Sequence, residues 1–427
     1  MLVVQKYGGS SVADAEHIKR VAKRVVRYVN EGHQVCVVVS AMGDTTDELI
    51  DLAEQVTKQA PAREMDILLT AGERISMSVL AMAVNELGVK AKSFTGQQAG
   101  IQTTEKYGKA HISSVVPERI ARNLDAGFVT IVAGFQGVHK QTNDVTTLGR
   151  GGSDTTAVAI AAALDADVCE IYSDVDGVFT ADPRVVKRAH KLAAVSYAEM
   201  LELAASGAKI LALRCVEYAR RFGVKVHVRS SFSDNEGTII CSDQEVKKIM
   251  DDRDLEAPLI SGVAHDNSES MISLVGLPDK PGIAATIFEA VAAAGVNVDM
   301  IVQNVSKSVP GKSDISFTAP SDQSDKGAQL LRDISDELGN PEIHLEHSVG
   351  KLSLIGAGMK TNPGVSATFF RALNKADINV EMISTSEIRI SVIVSLEDLD
   401  NAAIALHKAF GLDSASDEAV VYGGTGR

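Results

Sequence analysis

Cysteine is scarce in this chain of 427 residues: there are four, and Cys215 and Cys241 have neither C-x-x-C spacing nor a histidine at metal-ligand distance. No disulfide framework or thiolate metal site organises the sequence. Cys36 and Cys169 fall inside apolar, strand-like runs, and all four read as buried thiols of a reducing compartment. Positive charge is also in deficit, 42 Lys and Arg against 56 Asp and Glu, for a net charge of -14. That excludes nucleic-acid backbones and anionic membranes as main partners, but not a small anion held by a local group of cations and amides. No apolar run approaches the ~18 residues that span a bilayer, and the opening Leu2-Val3-Val4-Gln5 is strand-like, not a leader, so a cytoplasmic location is expected. The phosphate-loop pattern G-x-x-x-x-G-K-[ST] is missing throughout.

What is present is ample core. A hydrophobic share of 45% and a mean hydropathy of +0.06 belong to a globular chain long enough for about two to four domains. Its densest chemistry is Thr146-Thr147-Leu148-Gly149-Arg150-Gly151-Gly152-Ser153-Asp154-Thr155-Thr156, a glycine-rich turn entering the Ala-rich helix expected over Ala157 to Leu164. Gly149, Gly151 and Gly152 let backbone N–H groups approach a ligand, Ser153 or Asp154 is placed to cap the helix, and the helix start carries partial positive charge. Arg150 adds a planar fork for a carboxylate or phosphate.

Polar loops recur at the ends of apolar strands. Leu2 to Lys6 reads as a strand that breaks at Gly8-Gly9-Ser10-Ser11, before a helix started by Asp14 with Ile18, Val21, Val25 and Val29 at helical spacing. Lys6 beside two glycines is an ammonium beside an anion-binding turn. Gln34 to Val39 ends at Ser40-Ala41-Met42-Gly43-Asp44-Thr45-Thr46, where Ser40 and Thr46 are either ligand groups or plain turn and cap residues. The carboxyl ends of parallel strands are where open α/β sheets bind ligands. Thr70-Ala71-Gly72-Glu73-Arg74 leads into a helix expected from about Ile75; Glu73 there is either a solvated first-turn acid or a carboxylate for an α-ammonium, opposite Arg150 on an α-carboxylate. Val129 to Ala133 and Asp167 to Tyr172 are further strands. The second ends at Ser173-Asp174-Val175-Asp176-Gly177, and the structured loop that follows, with Pro183, has polar groups enough for a base and ribose. Lys209, expected at a helix start, is either a second phosphate cation or an exposed lysine.

In their combination and order, Lys6-Tyr7-Gly8-Gly9-Ser10-Ser11, Ser40-Ala41-Met42-Gly43, Thr70-Ala71-Gly72-Glu73-Arg74, Gly149-Arg150-Gly151-Gly152-Ser153-Asp154 and Ser173-Asp174-Val175-Asp176-Gly177 resemble the aspartate kinases of the amino acid kinase family. The resemblance implies an open, mainly parallel sheet between helices and ATP-dependent phosphorylation of the side-chain carboxylate of L-aspartate. It implies Lys6, Asp154 and Ser40 as catalytic groups. Lys6, Tyr7, Gly8, Gly9, Ser173, Asp174, Phe179, Arg184 and Lys209 would then surround ATP, whose phosphates carry Mg²⁺, with no protein metal site. Ser40, Thr45, Thr46, Glu73, Arg150, Gly151, Gly152 and Ser153 would hold aspartate. Phe179 stands where relatives often carry Tyr, so packing persists there but a hydroxyl hydrogen bond is lost. Rival readings are an amino acid kinase for glutamate, N-acetylglutamate or a nucleotide, and a catalytically silent amino-acid sensor.

The last third repeats itself. Ile272-Ser273-Leu274-Val275-Gly276 answers to Leu352-Ser353-Leu354-Ile355-Gly356, Pro281-Gly282-Ile283-Ala284 to Pro363-Gly364-Val365-Ser366, and Val296-Asn297-Val298-Asp299-Met300-Ile301 to Ile378-Asn379-Val380-Glu381-Met382-Ile383. Each copy reads as strand, Pro-Gly turn, helix, strand, strand, helix, strand, an α+β ferredoxin-like plan. The copies resemble ACT domains. That resemblance implies an effector site of Asp279, Gly282, Ile283, Ala284, Asn297, Gln303, Val365, Ser366, Asn379, Val380, Thr385 and Ser386, inhibition by lysine, threonine or both, and a homo-oligomer through the repeats. It also allows a separately made regulatory subunit starting near Met250. Domains are expected at 1–245, 261–348 and 349–427 with a charged linker at 246–260, and the strand near Leu259 to Val263 is expected to join the second repeat.

Overall fold

The computed structural model describes residues 1–249, 260–305, 311–357, 359, 362–413 and 420–422. Its largest sheet has eight strands in the order Ala194–Ser196, Thr238–Cys241, Val226–Ser230, Val168–Ser173, Leu2–Tyr7, Gln34–Val39, Val129–Ala133 and Ala91–Phe94. All neighbours run parallel except Val226–Ser230 against Thr238–Cys241. Burial on both faces explains the near-continuous apolar runs of these strands. One face carries Val4, Val38, Cys169 and Ile171 against the helices Gly152–Ala163, Tyr197–Ala205 and Leu213–Phe222. The other carries Val35, Val37, Val39, Tyr7 and Tyr172 against Ala15–Asn30 and Ala62–Glu86. All four cysteines are buried thiols. A second, four-stranded sheet, Ile112–Val115, Ile101–Thr103, Gln136–His139 and Val145–Thr147, leads into the glycine-rich turn.

Local signals hold at some ends and yield at others. Asp14 caps Ala15–Asn30, its carboxylate accepting from the N–H groups of Glu16 and His17 at 2.9 Å. The helix expected from Ile75 instead runs unbroken from Ala62 to Glu86, so Thr70 to Arg74 lie in its middle. Gly72 is interior because a Cβ there would lie 2.7 Å from the Ala41 Cβ; close approach, not helix termination, is what the glycine serves. This helix is long and apolar enough to cross a membrane, yet its buried side, including Glu73, Ser76, Met77 and Leu80, is part of the core. Lys209 likewise is not at a helix start: it lies in the turn between Tyr197–Ala205 and Leu213–Phe222.

The first repeat is complete, with Ile301–Val305, Lys312–Pro320, Glu269–Pro278 and Glu342–Glu346 in that sheet order under the helices Ile283–Ala293 and Ser321–Asp333. The second has the same order, Met382–Thr385, Arg389–Ser395, Val349–Gly356 and then Ile260–Asp266, so its last strand precedes the first repeat in sequence. As expected for the strand near Val263, hydrogen bonding assigns Ile260–Asp266 to the unit formed mainly by 349 onward, so this unit is not continuous in sequence. The expected linker at 246–260 begins inside the helix Asp243–Ile249; Met250 lies outside the described residues.

The second unit shares its core with the catalytic unit. Phe179, Ala181, Val186 and Ala189 pack with Val263, Leu352, Leu354, Phe369 and Val392. Thr180 Oγ1 and His407 Nε2 lie 2.8 Å apart, and His190 Nδ1 lies 2.8 Å from the Leu412 carbonyl. Phe369 is fully buried at the centre of this cluster. Phe369→Ala is expected to lower stability by about 3–5 kcal/mol, as such truncations do. Denaturant melts followed by far-UV circular dichroism check this, and a midpoint equal to that of the unaltered protein contradicts it.

Candidate functional site

Two cavities open at the carboxyl end of the large sheet, and strand alternation decides which side chains reach them. Along Leu2–Tyr7, Val4 and Lys6 face the helix Gly152–Ala163, whereas Gln5 and Tyr7 face the other way. Tyr7 is fully buried, stacked on Tyr172 with ring centroids 4.7 Å apart. The Tyr7 side chain thus cannot meet a nucleotide, contrary to expectation, and only its backbone is available. Beneath it Glu170 accepts from Gln5 Nε2 at 2.9 Å, Tyr28 at 2.8 Å, Tyr172 at 2.9 Å and Arg229 at 3.3 Å. This buried network fixes the strand from behind. Burial pushes the Tyr172 hydroxyl well above its usual pKa, so it stays neutral here.

The first cavity, about 410 Å³, is lined by Lys6, Gly9, Ser40, Gly43, Thr46, Glu73, Arg150, Gly151, Gly152, Ser153 and Asp154, among others. Most of the residues expected around aspartate and the transferring group therefore meet in one place. Thr45 stands just behind, its methyl 3.6 Å from where a Gly72 Cβ would be. The helix Gly152–Ala163 starts from Gly151 in the left-handed region (φ 69°), with no side-chain cap. Neither Ser153 nor Asp154 caps it, contrary to expectation; both sit in its first turn. The Gly152 N–H turns back to the Gly149 carbonyl at 3.0 Å, so the N–H groups of Ser153 and Asp154, with the dipole, are what the helix start offers the cavity. Asp154 turns instead to Lys6, its Oδ1 2.6 Å from Nζ, with both side chains about one-tenth exposed. That oxygen makes no well-aligned hydrogen bond, so charge more than direction holds the lysine.

Glu73 is 3% exposed. Its Oε1 accepts from the Ala41 N–H at 3.2 Å, while Oε2 is buried without any partner. Desolvation pushes its pKa up to about 7, against the opposing pull of backbone hydrogen bonds. An unpartnered acid oxygen in a cavity that also carries the exposed guanidinium of Arg150 is a place for a ligand cation opposite a ligand anion.

Asp66, not singled out from the sequence, organises the approach to this turn. Fully buried, it accepts from the Gly108 N–H at 3.0 Å and from Thr147 N and Oγ1 at 2.9 and 2.7 Å, tying Ala62–Glu86 to the strand before Gly149.

The second cavity, about 230 Å³, is lined by Ser173, Asp174, Phe179, Asp182, Arg184 and Lys209, and by Val263, Ala264 and His265. Arg184 is held by Asp182 through contacts of 3.0 to 3.2 Å, which offset the cost of burial and keep the Asp182 carboxyl below its usual range. Tyr7 pairs with Tyr172 across adjacent parallel strands, so Gly8 and Gly9 leave the sheet level with Ser173 and Asp174. Gly8 donates to the Tyr172 carbonyl at 3.4 Å, between the residues that line the two cavities. Among the described residues there is no group of three or more His, Cys, Asp or Glu side chains arranged to hold a metal ion.

Of the expected effector residues, Ile283 and Val365 have core side chains and offer a ligand only their backbone. Asp279, Gly282, Asn297, Gln303, Ser366, Asn379, Thr385 and Ser386 are exposed, and Ala284 and Val380 partly so. Gln303 lies on Ile301–Val305 and Thr385 on Met382–Thr385, the outer strands of their sheets.

Comparison with known proteins agrees with this division. Residues 1–230 match the amino acid kinase family, and 272–333 with 352–410 match the ACT domain. The chain is 59% identical to an aspartokinase of Mycolicibacterium smegmatis over the full length of both, and 56% identical to one of Corynebacterium glutamicum, again at full length. Among solved structures it resembles Escherichia coli aspartokinase III in complex with aspartate and ADP, with a TM-score of 0.80 and 25% identity, covering 96% of this chain and 99% of that one. The chain belongs to the aspartokinases, carboxyl-phosphorylating enzymes built from an amino acid kinase unit and a pair of ACT domains.

Proposed function

We propose that the first cavity binds L-aspartate and the second the nucleotide of ATP, and that the γ-phosphoryl group passes to the side-chain carboxylate to give 4-phospho-L-aspartate. The observation that carries this reading is the unpartnered Glu73 oxygen in a cavity shared with Arg150, Lys6 and an uncapped helix start. Glu73 takes the α-ammonium, Arg150 the α-carboxylate, and the side-chain carboxylate is left facing Lys6. A substrate without a free ammonium, such as N-acetylglutamate, leaves Glu73 buried and unpaired.

The acceptor carboxylate has an ordinary pKa of about 3.9 and is already ionised near neutrality, so no general base is required. The barrier is repulsion between two anions, and the protein answers it with position and charge. Lys6, poised on Asp154, moves its ammonium to the phosphoryl oxygens, and the N–H groups at Ser153 and Asp154 receive the charge that develops. Lys209 and Arg184 hold the remaining phosphates. Cations and amides around the two cavities suit the phosphates, and Mg²⁺ would be carried by the nucleotide on those phosphates, next to Asp174 and Asp182 of the second cavity. When bound, it supplies neutralisation of the phosphate charge.

In the regulatory half, the free helix start at Gly282 (φ 101°) beside Asp279 suits the carboxylate and ammonium of an amino acid. Lysine, threonine or both are the proposed effectors, for an enzyme at the head of lysine, threonine and methionine synthesis. Ile301 and Val305 on one outer strand and Ile383 on the other are roughly half exposed or more, which suits pairing with a second copy of the chain.

Turnover of L-aspartate with ATP, compared with glutamate and N-acetylglutamate in a coupled assay, tests the assignment; a preference for either alternative refutes it. Lys6→Ala is expected to lower kcat at least about 10²-fold, the scale for losing one transition-state donor, while the protein stays folded. Because the ammonium needs ionised Glu73 and the free carboxyl titrates near 7, aspartate binding below that pH takes up the ionised form and releases a proton. KM for aspartate should therefore fall as pH rises between about 6 and 8, and calorimetry in buffers of different ionisation enthalpy should register the proton. Asp279→Ala is expected to shift the inhibition curve for lysine plus threonine to higher concentration, read in the same coupled assay.

A further inference from the structure

The second cavity is not walled by the catalytic unit alone. Val263, Ala264 and His265 line it, and their strand, Ile260–Asp266, is hydrogen-bonded into the sheet of the second regulatory unit. The contact has no slack. The Val263 N–H donates to the Thr180 carbonyl at 2.7 Å, and a Cβ on Gly262 would come within 2.6 Å of that same oxygen. On the other side a Cβ on Gly207, at φ 107°, would lie 2.3 Å from the His265 carbonyl, so the turn that carries Lys209 rests directly on the strand backbone. Displacing this strand displaces the wall of the cavity.

A buried cation sits behind that wall. Lys351 is fully buried and pairs in register with Asp266, beside the strand that lines the cavity. Its ammonium lies 2.6 Å from Asp299, 3.5 Å from Glu269 and 3.1 Å from the Ala205 carbonyl. Asp299 and Glu269 belong to the first regulatory unit. Ala205 ends the catalytic helix that runs into Ser206, Gly207 and Lys209. One charge thus joins both regulatory units to the turn beneath the nucleotide. A buried lysine is tolerated only while paired, so this junction resists gradual loosening.

We propose that Lys351 is a positioning residue for the nucleotide: it clamps the Ser206–Lys209 turn against the regulatory strand, so that movement of the first regulatory unit at Asp299 is read as a change in nucleotide affinity, not aspartate affinity. This rests on the assignment of the second cavity to the nucleotide. Asp299 lies two residues from Asn297, within the segment assigned to the effector.

Lys351→Met keeps the volume and removes the charge. Calorimetric titration with Mg²⁺-ADP and steady-state kinetics with ATP should show the nucleotide Kd and KM rising about tenfold, the range of ordinary site-to-site coupling, with KM for aspartate unchanged. Asp299→Asn, at a partly exposed partner, should shift the same constants in the same direction by less, and it preserves the test if the first variant does not fold. Unchanged nucleotide constants in a folded variant, or parallel rises in both KM values, overturn the proposal. A wild-type protein that binds no Mg²⁺-ADP overturns the site assignment, and the proposal with it.

Discussion

Lys6 and Asp154 meet at 2.6 Å because a strand end and an uncapped helix start are brought to the same point. The rest of the catalytic unit depends on that meeting. A cation beside free N–H groups is stable only if a nearby anion balances it, and Asp154 supplies the balance without occupying the N–H groups. A side-chain cap at Ser153 or Asp154 would have stabilised the helix by ~1 kcal/mol and filled the place where an anionic ligand would meet the N–H groups. The left-handed Gly151 starts the helix instead, leaving the Ser153 and Asp154 N–H groups open.

The same economy of donors and acceptors recurs at Glu73 and Lys351, with opposite consequences. Glu73 leaves one oxygen unpaired, a cost that a ligand ammonium would remove, so under the proposed function its burial would select for a zwitterion. Lys351 is satisfied within the protein by groups from three parts of the chain, so burial there becomes connection. Between them lies the loop of the second cavity, whose Phe179 is core to the second regulatory unit. Catalytic and regulatory halves are therefore not two bodies tethered by a linker; the loop that lines the second cavity is part of the packing of both.

Much of this was legible as local pattern. Apolar strands ending in Gly8, Gly43, Gly149 and Gly177 turns, the Asp14 cap and the repeat of the last third are all encoded within a few residues of each other. Other features depend on distant partners. Thr70 to Arg74 resembles a helix start because Gly72 usually marks an end, but here the glycine answers to Ala41 across the cleft. Tyr7 stands between Lys6 and Gly8 in sequence, yet alternation along the strand sends its side chain into the core. Asp66 and Lys351 carried no motif, since their partners lie at Gly108, Thr147, Asp299 and Ala205, far away in sequence.

The sequence by itself determined the glycine turns, the strands that precede them, the repeated regulatory plan and the chemical types needed to bring two anions together, because each is set by periodicity, backbone freedom or charge over a short span. Tertiary structure alone decided which face Lys6 and Tyr7 take, that Glu73 is buried with an oxygen to spare, and that the regulatory strand Ile260–Asp266 closes the second cavity. Those outcomes follow from register, burial and nonlocal pairing, which exist only once distant segments have packed.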